Sequence, residues 1–209
     1  MAKSGYNQQL LVEGKDDQHV IFALCQKFNI IKNFEVIDCT GFDNLMEQLP
    51  QRFKQSNIQT IGIIIDADSD LKSRWDSAKS KIEEQGFILP KEPPLDGLVI
   101  HNNSLAVGVW IMPNNQLEGM LEDFVSFLIP EKDELLPIAM DILNKIETKG
   151  LNSYSPIHKS KAVIHTWLSW QEVPGTPMGL AVTKKYLNTD EKTCLTLISW
   201  LDRLFNVQK

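Results

Sequence analysis

The chain has 209 residues, 43% of them hydrophobic, and a formal net charge of −6. That length holds one substantial core, or a core with a smaller appended part. The charge argues against a protein that grips nucleic acid through a broad basic surface, while leaving room for an enzyme that meets a phosphodiester through bound metal ions. No stretch approaches the roughly 20 apolar residues of a membrane span, and MAKSGYNQQ lacks an apolar signal region, so a soluble cytoplasmic protein is expected. Cys25, Cys39 and Cys194 are far apart, with no CxxC pair and no His at ligand spacing. They read as reduced core thiols, with neither a disulfide framework nor a zinc site indicated.

In chain order, Gln8 to Glu13 (QQLLVE) is a short apolar run that reads as a strand ending on an acid, with Gly14 next. Asp16 and Asp17 sit where acids favour a helix start, and Val20, Ile21, Leu24, Cys25 and Phe28 recur at helical spacing. Phe34 to Cys39 (FEVIDC) predicts a second strand, followed by Thr40 and Gly41. Leu45, Met46, Leu49 and Phe53 then mark a second helix with Asp43 near its start. Gly14 is expected to permit a tight turn, and Gly41 to admit a closely approaching backbone or substrate.

The third strand is the stretch around which the chain is organised, Thr60 to Asp70 (TIGIIIDADSD). An unbroken apolar run of this kind predicts a strand buried on both faces, and it delivers Asp66, Asp68 and Asp70 to its tip. Three acids so close repel one another unless a cation sits among them, and hard divalent ions take carboxylate oxygens. The plainer reading is a solvated acidic turn whose Asp caps the next helix. That helix is predicted over Ser73 to Gln85, closed by Gly86.

Three alternations of strand and helix imply right-handed crossovers and a parallel sheet with helices on both sides. Ligand sites in such sheets lie beyond the carboxyl ends of the strands. The topology thus brings Glu13, Asp66, Asp68 and Asp70 to one edge.

LLVEGKDDQHVI, then DCTGFDNL, then IGIIIDADSD together resemble the Toprim domain of topoisomerases, primases, and OLD-type and M5-type nucleases. That family shows a Glu in a VEG turn, a Gly after the second strand and a DxD after the third. The whole chain is similar to stand-alone Toprim-like bacterial proteins of unknown function, through GMLEDF, KSKAVIHTWLSW, PGTPMG and WLDRLF. The resemblance implies that Glu13 is a metal ligand or general acid and base, and that Asp66 and Asp68 are metal ligands. Asp70 is an extra acid that some members use. The implied cofactor is Mg²⁺ or Mn²⁺. In many topoisomerase and primase members a small, basic turn follows the DxD; Ser69, Asp70 and Leu71 stand here instead, which points away from strand passage and primer synthesis.

The second half opens with KEPPLD, which breaks any helix. Gly97 to Ile111 predicts an antiparallel hairpin turning at His101 to Ser104, and PNNQ is a loop. Leu117 to Phe124 leads into an apolar helix. If that helix begins early, Glu118 and Glu122 share a face, although acids in a first turn also serve the helix dipole. OLD-type nucleases imply one more acid for a second metal, and Glu122 is the expected position, with Asp123 next. Helices are predicted over Glu131 to Leu151 and Ser155 to Trp170. The latter carries Lys159 and Lys161, a solvated charge run or cations that stabilise charge at a phosphodiester; Lys161 is the catalytic candidate. His165 falls among Val163, Ile164, Trp167 and Leu168 and is expected to be packed. PGTPMG is a rigid loop or structural turn, and Lys192 to Phe205 a packing helix.

The expectation is one α/β domain with a Toprim-like parallel-sheet core over residues 6–112. The hairpin that ends this core, and a helical C-terminal extension over residues 113–209, cover the sheet edge. The function implied is Mg²⁺-dependent hydrolysis of a phosphodiester in a DNA or RNA substrate. Metal would be held by Glu13, Asp66, Asp68, Asp70 and Glu122, one ion activating water and another stabilising the leaving oxygen. Two alternatives stay open. One is a non-catalytic or regulatory Toprim module that binds nucleic acid, a nucleotide or a partner protein; a homo-oligomer is likewise left open. The other is a haloacid dehalogenase-type phosphatase with Asp66 as nucleophile, which expects Thr or Val where Asp70 stands.

Overall fold

In a computed structural model, which describes residues 6–31, 33–102 and 105–206, the predicted alternation is present. The elements are β1 (Gln8–Val12), α1 (Lys15–Lys27), β2 (Glu35–Asp38), α2 (Phe42–Phe53), β3 (Thr60–Asp66) and α3 (Leu71–Glu83). The hairpin follows as β4 (Leu98–His101) and β5 (Ala106–Met112), antiparallel to each other. Part of its expected turn, and the first five residues of the chain, lie outside the described residues. The sheet runs β2-β1-β3-β5-β4, with β2, β1, β3 and β5 parallel, so the isoleucine-rich β3 is central.

Because side chains alternate across a strand, β3 feeds two cores. Ile61, Ile63 and Ile65 join Leu45, Leu49, Trp75, Ala78 and Ile82 of α2 and α3 on one face. Ile64 joins Val20, Ile21 and Leu24 of α1 on the other, together with the C-terminal helices. Those helices are α4 (Leu121–Phe127), α5 (Leu135–Thr148), α6 (Lys159–Ser169, entered through a 3-10 turn at Pro156–His158), α7 (Met178–Thr183) and α8 (Lys192–Phe205).

The extension therefore builds out a face of the sheet, where the sequence suggested that it covers an edge. The physical reason is a notch. Gly62 and Gly108 are paired in register, and a Cβ on either would stand 2.8 or 2.4 Å from Cδ2 of Leu204, so α8 seats Leu204 on bare backbone. Trp200 of the same helix donates its indole N–H to the Leu98 carbonyl at 2.8 Å.

Helix α3 runs two residues ahead of its predicted span, starting at Leu71 because Asp70 caps it, and three further differences lie in the second half. The helix after the PNNQ loop starts at Leu121, because Gly119 (φ +133°) pairs with Asp68 in a short bridge instead of entering a helix. Glu118 is thus exposed and outside the helix, and shares no helical face with Glu122. The helix predicted from Glu131 starts at Leu135, since the Asp133 carboxylate accepts the N–H groups of Leu135 and Leu136 at 3.0 and 2.7 Å. PGTPMG runs into α7, a helix that sequence reading treated as loop. Gly179 lets α7 close on α1: a Cβ there would meet the His19 carbonyl oxygen at 2.7 Å. Among the described residues, no helix is long and apolar enough to cross a membrane.

Candidate functional site

The register of the parallel strands decides which side chains meet. Val12 pairs with Ile64, and Asp66 with Met112, so the residues just past β1, β3 and β5 emerge at one rim. There the Glu13 carboxylate accepts the backbone N–H of Asp66 at 2.8 Å. The loop after β5 folds back over this rim. Asp68 N–H donates to the Gly119 carbonyl at 2.8 Å and Gly119 N–H to that of Asp68 at 2.7 Å. The bridge places the first N–H of α4 on Asp66, whose Oδ1 accepts from Leu121 at 3.0 Å. Glu122, 3% exposed, thereby enters the same region from the other side.

The two neighbouring acids of α4 have separate tasks. Asp123 reaches back to accept the Met120 N–H at 2.8 Å, capping the helix, and accepts the Ser160 hydroxyl at 2.6 Å, docking α6. Glu122 is left to face the acidic rim, with Lys161 Nζ 3.6 Å from its Oε1. Asp17 repeats the arrangement on α1: its carboxylate accepts the Gly14 N–H at 3.1 Å, and the side chain is buried.

Electrostatics follow from this crowding. Burial, then the charges of Asp17, Glu13, Glu122 and Asp68, push the Asp66 carboxyl well above the usual carboxylate range. Burial and the charges of Glu13 and Glu122 raise Asp17 to about 7. Glu13 is raised by burial against the opposing pull of the Asp66 N–H, Arg74 and Lys161. Glu122 is likewise raised by burial, opposed by Lys161 and by His165. Desolvation and like charge both favour the neutral acids.

Of the residues singled out in the sequence, Glu13, Asp66, Asp68, Glu122 and Lys161 come together. Asp70 is exposed and caps α3, its Oδ1 accepting the Ser73 N–H at 2.9 Å, which is the plainer of its two readings. Lys159 is held away on α5 by Glu147 at 2.7 Å and Asn144 at 2.8 Å. His165, expected to be packed, is exposed and acts on Glu122 from one turn beyond Lys161. Gly14 is in extended backbone that any residue adopts, so no tight turn requires it. Gly41 needs its conformation (φ +113°), and a Cβ there would meet no protein atom within 4 Å, so no backbone of this chain approaches it closely.

Two members escaped the sequence reading. Asp17 looked like a helix-dipole complement. Arg74, on α3, places Nη2 on the Asp68 carboxylate and stands 3.9 Å over the Phe42 ring.

Among the described residues, no three acidic, His or Cys side chains stand as a ready-made metal-ligand set. The contacts as they are hold each acid to a protein donor: Glu13 to the Asp66 N–H, Asp66 to the Leu121 N–H, Asp68 to Arg74, Glu122 to Lys161. The donor chemistry nonetheless suits a hard divalent cation. All the donors are carboxylate oxygens, and their mutual repulsion is what such an ion relieves.

No curated protein and no solved structure matches the chain. Residues 7–206 match the model of DUF3226, a family described as protein of unknown function, and the chain belongs to that family.

Proposed function

We propose that this chain is a Toprim-like, Mg²⁺- or Mn²⁺-dependent nuclease that hydrolyses phosphodiester bonds in DNA or RNA. The observation that carries the reading is the meeting of Glu13, Asp66, Asp68 and Glu122, with Asp17 beside them, at the carboxyl rim of a parallel sheet. Their burial and mutual repulsion hold Asp66 and Asp17 away from their ordinary titration. Perturbed carboxyls clustered at such a rim support the reading of a functional site.

In this reading Glu13, Asp66, Asp68 and Glu122 hold the metal, and Asp70 is left to its helix. The metal supplies an activated water and charge stabilisation at the leaving oxygen. Lys161, whose ammonium is half exposed beside Glu122, offers a cation to the charge that builds on the phosphate. His165 adds a second polar group to the same approach.

A second reading is a non-catalytic Toprim-like module that binds nucleic acid, a nucleotide or a partner protein. It is favoured by Arg74 on Asp68 and Lys161 on Glu122, which neutralise the acids with protein cations alone. The phosphatase alternative asks Asp66 for a nucleophilic carboxylate and expects Thr or Val where Asp70 stands.

The deciding experiment is a cleavage screen of purified protein on single- and double-stranded DNA and RNA, with Mg²⁺ or Mn²⁺ and with EDTA. Metal-dependent cleavage that disappears in Glu13→Ala and Asp68→Ala, with the circular dichroism spectrum unchanged, is the expected result. Cleavage persisting at full rate in both variants sinks the nuclease assignment.

A further inference from the structure

Arg74 stands out among the cations at the rim because it is held from several sides. Its side chain is only 24% exposed, its Nη2 lies on the Asp68 carboxylate, and its guanidinium carbon sits 3.9 Å above the centre of the Phe42 ring. An arginine over an aromatic face gains cation–π attraction, and the guanidinium stays charged at any working pH. Lys161, by contrast, is 48% exposed and 3.6 Å from its acid.

Asp68 itself cannot easily turn away. Its backbone is in the left-handed region (φ +50°), and both its N–H and its carbonyl are tied to Gly119. The Asp68 side chain therefore leaves from a fixed point. If a second cation is to take that carboxylate, the guanidinium is the group that gives way.

We propose that Arg74 is the resident counter-ion of the acidic rim, and that a divalent cation binds only by displacing it from Asp68. This inference rests on the metal-site reading above and adds how the site is regulated. In the metal-free protein the guanidinium offsets the repulsion between the Glu13 and Asp68 carboxylates, so the rim keeps its shape without metal. The same contact weakens metal binding, because carboxylate oxygens engaged by a charge-assisted hydrogen bond must be released first. The site then takes a divalent ion from a concentrated pool and rejects weaker cations.

The test is isothermal titration of EDTA-treated full-length protein with MnCl₂. The proteins compared are wild type, Arg74→Gln, Arg74→Lys and Lys72→Gln, each checked for folding by circular dichroism. Lys72 lies on the same helix, exposed, with Asp76 as its partner, so its removal changes the local field without touching Asp68. Arg74→Gln is expected to tighten Mn²⁺ binding about tenfold, the scale of one lost charged hydrogen bond. Arg74→Lys, which keeps the charge but loses the planar fork, should fall between the two, and Lys72→Gln should match wild type within about twofold. Equal tightening by Arg74→Gln and Lys72→Gln would mean a general field effect and would overturn the displacement. Wild type binding as tightly as Arg74→Gln, or more so, would overturn it too while leaving the metal reading in place. Mn²⁺ binding by none of the four proteins would sink both.

Discussion

Glu13 and Asp66, 53 positions apart in the chain, are joined directly: the carboxylate at the end of β1 accepts the N–H at the end of β3 at 2.8 Å. The bond makes Glu13 a structural acceptor as well as an acid. The two roles separate by substitution. Glu13→Gln keeps an oxygen for the Asp66 N–H and should change unfolding free energy little, whereas Glu13→Ala leaves a part-buried donor unpaired and should cost about 1–3 kcal/mol in urea denaturation. Metal-dependent cleavage should be lost in both. A Gln variant that cleaves normally would remove Glu13 from the chemistry.

Asp17 sets a pH dependence whose sign can be worked out. Its folded-state pKa, about 7, lies above the ordinary 3.8, so the folded protein binds the proton more tightly than the unfolded chain. Stability from this group is greatest at low pH and falls as pH rises from about 4 to about 7. Asp17→Asn keeps an oxygen for the Gly14 N–H and removes the charge. It should stabilise the metal-free protein at pH 8 by on the order of 2–4 kcal/mol, and flatten melting temperature against pH across that window. An unchanged profile would mean that the carboxyl titrates normally.

Lys159 and Lys161, two residues apart, should part company. Lys159 cross-links α6 to α5 through Glu147 and Asn144, so Lys159→Ala should lower stability by up to about 1 kcal/mol and leave catalysis alone. Lys161→Ala should do the reverse, lowering the cleavage rate at saturating metal with little change in melting temperature. Equal rates in the two variants would deny Lys161 any part in the reaction.

Gly179→Ala should be among the costlier small substitutions. A Cβ would stand 2.7 Å from the His19 carbonyl oxygen, which is backbone and cannot step aside alone. A loss above about 2 kcal/mol is expected, read as a fall in melting temperature. A normal melting temperature would show that α7 can shift on α1 at little cost.

Much of the sheet was legible because its signals are local. The isoleucine run of β3, the acids after it and Glu13 after β1 are written in consecutive residues, and parallel topology alone predicts their shared rim. The last helix was read with its true bounds, its apolar residues recurring over several turns. What escaped depends on facing and on distant partners. His165 has Val163, Ile164, Trp167 and Leu168 as sequence neighbours, but the helical turn sends those four inward and His165 outward. Helix α7 spans Met178–Thr183, too short for a period to show. Asp17 and Arg74 each sit on a helix where an acid at the start or a cation on the surface is commonplace. Only the fold reveals that one points into the rim and the other reaches back across it.

The Ser160–Asp123 hydrogen bond ties a helix from late in the chain to the rim. A truncation ending before α6 would keep Glu13, Asp17, Asp66, Asp68 and Glu122 while discarding Lys161 and His165. Such a fragment would retain the negative half of an electrostatic balance and lose much of the positive half. The same cut would remove α7 and α8, and with them the cover that Leu204 gives to Gly62 and Gly108, so an acidic rim written in the first 125 residues owes both its roof and part of its counter-charge to sequence far downstream.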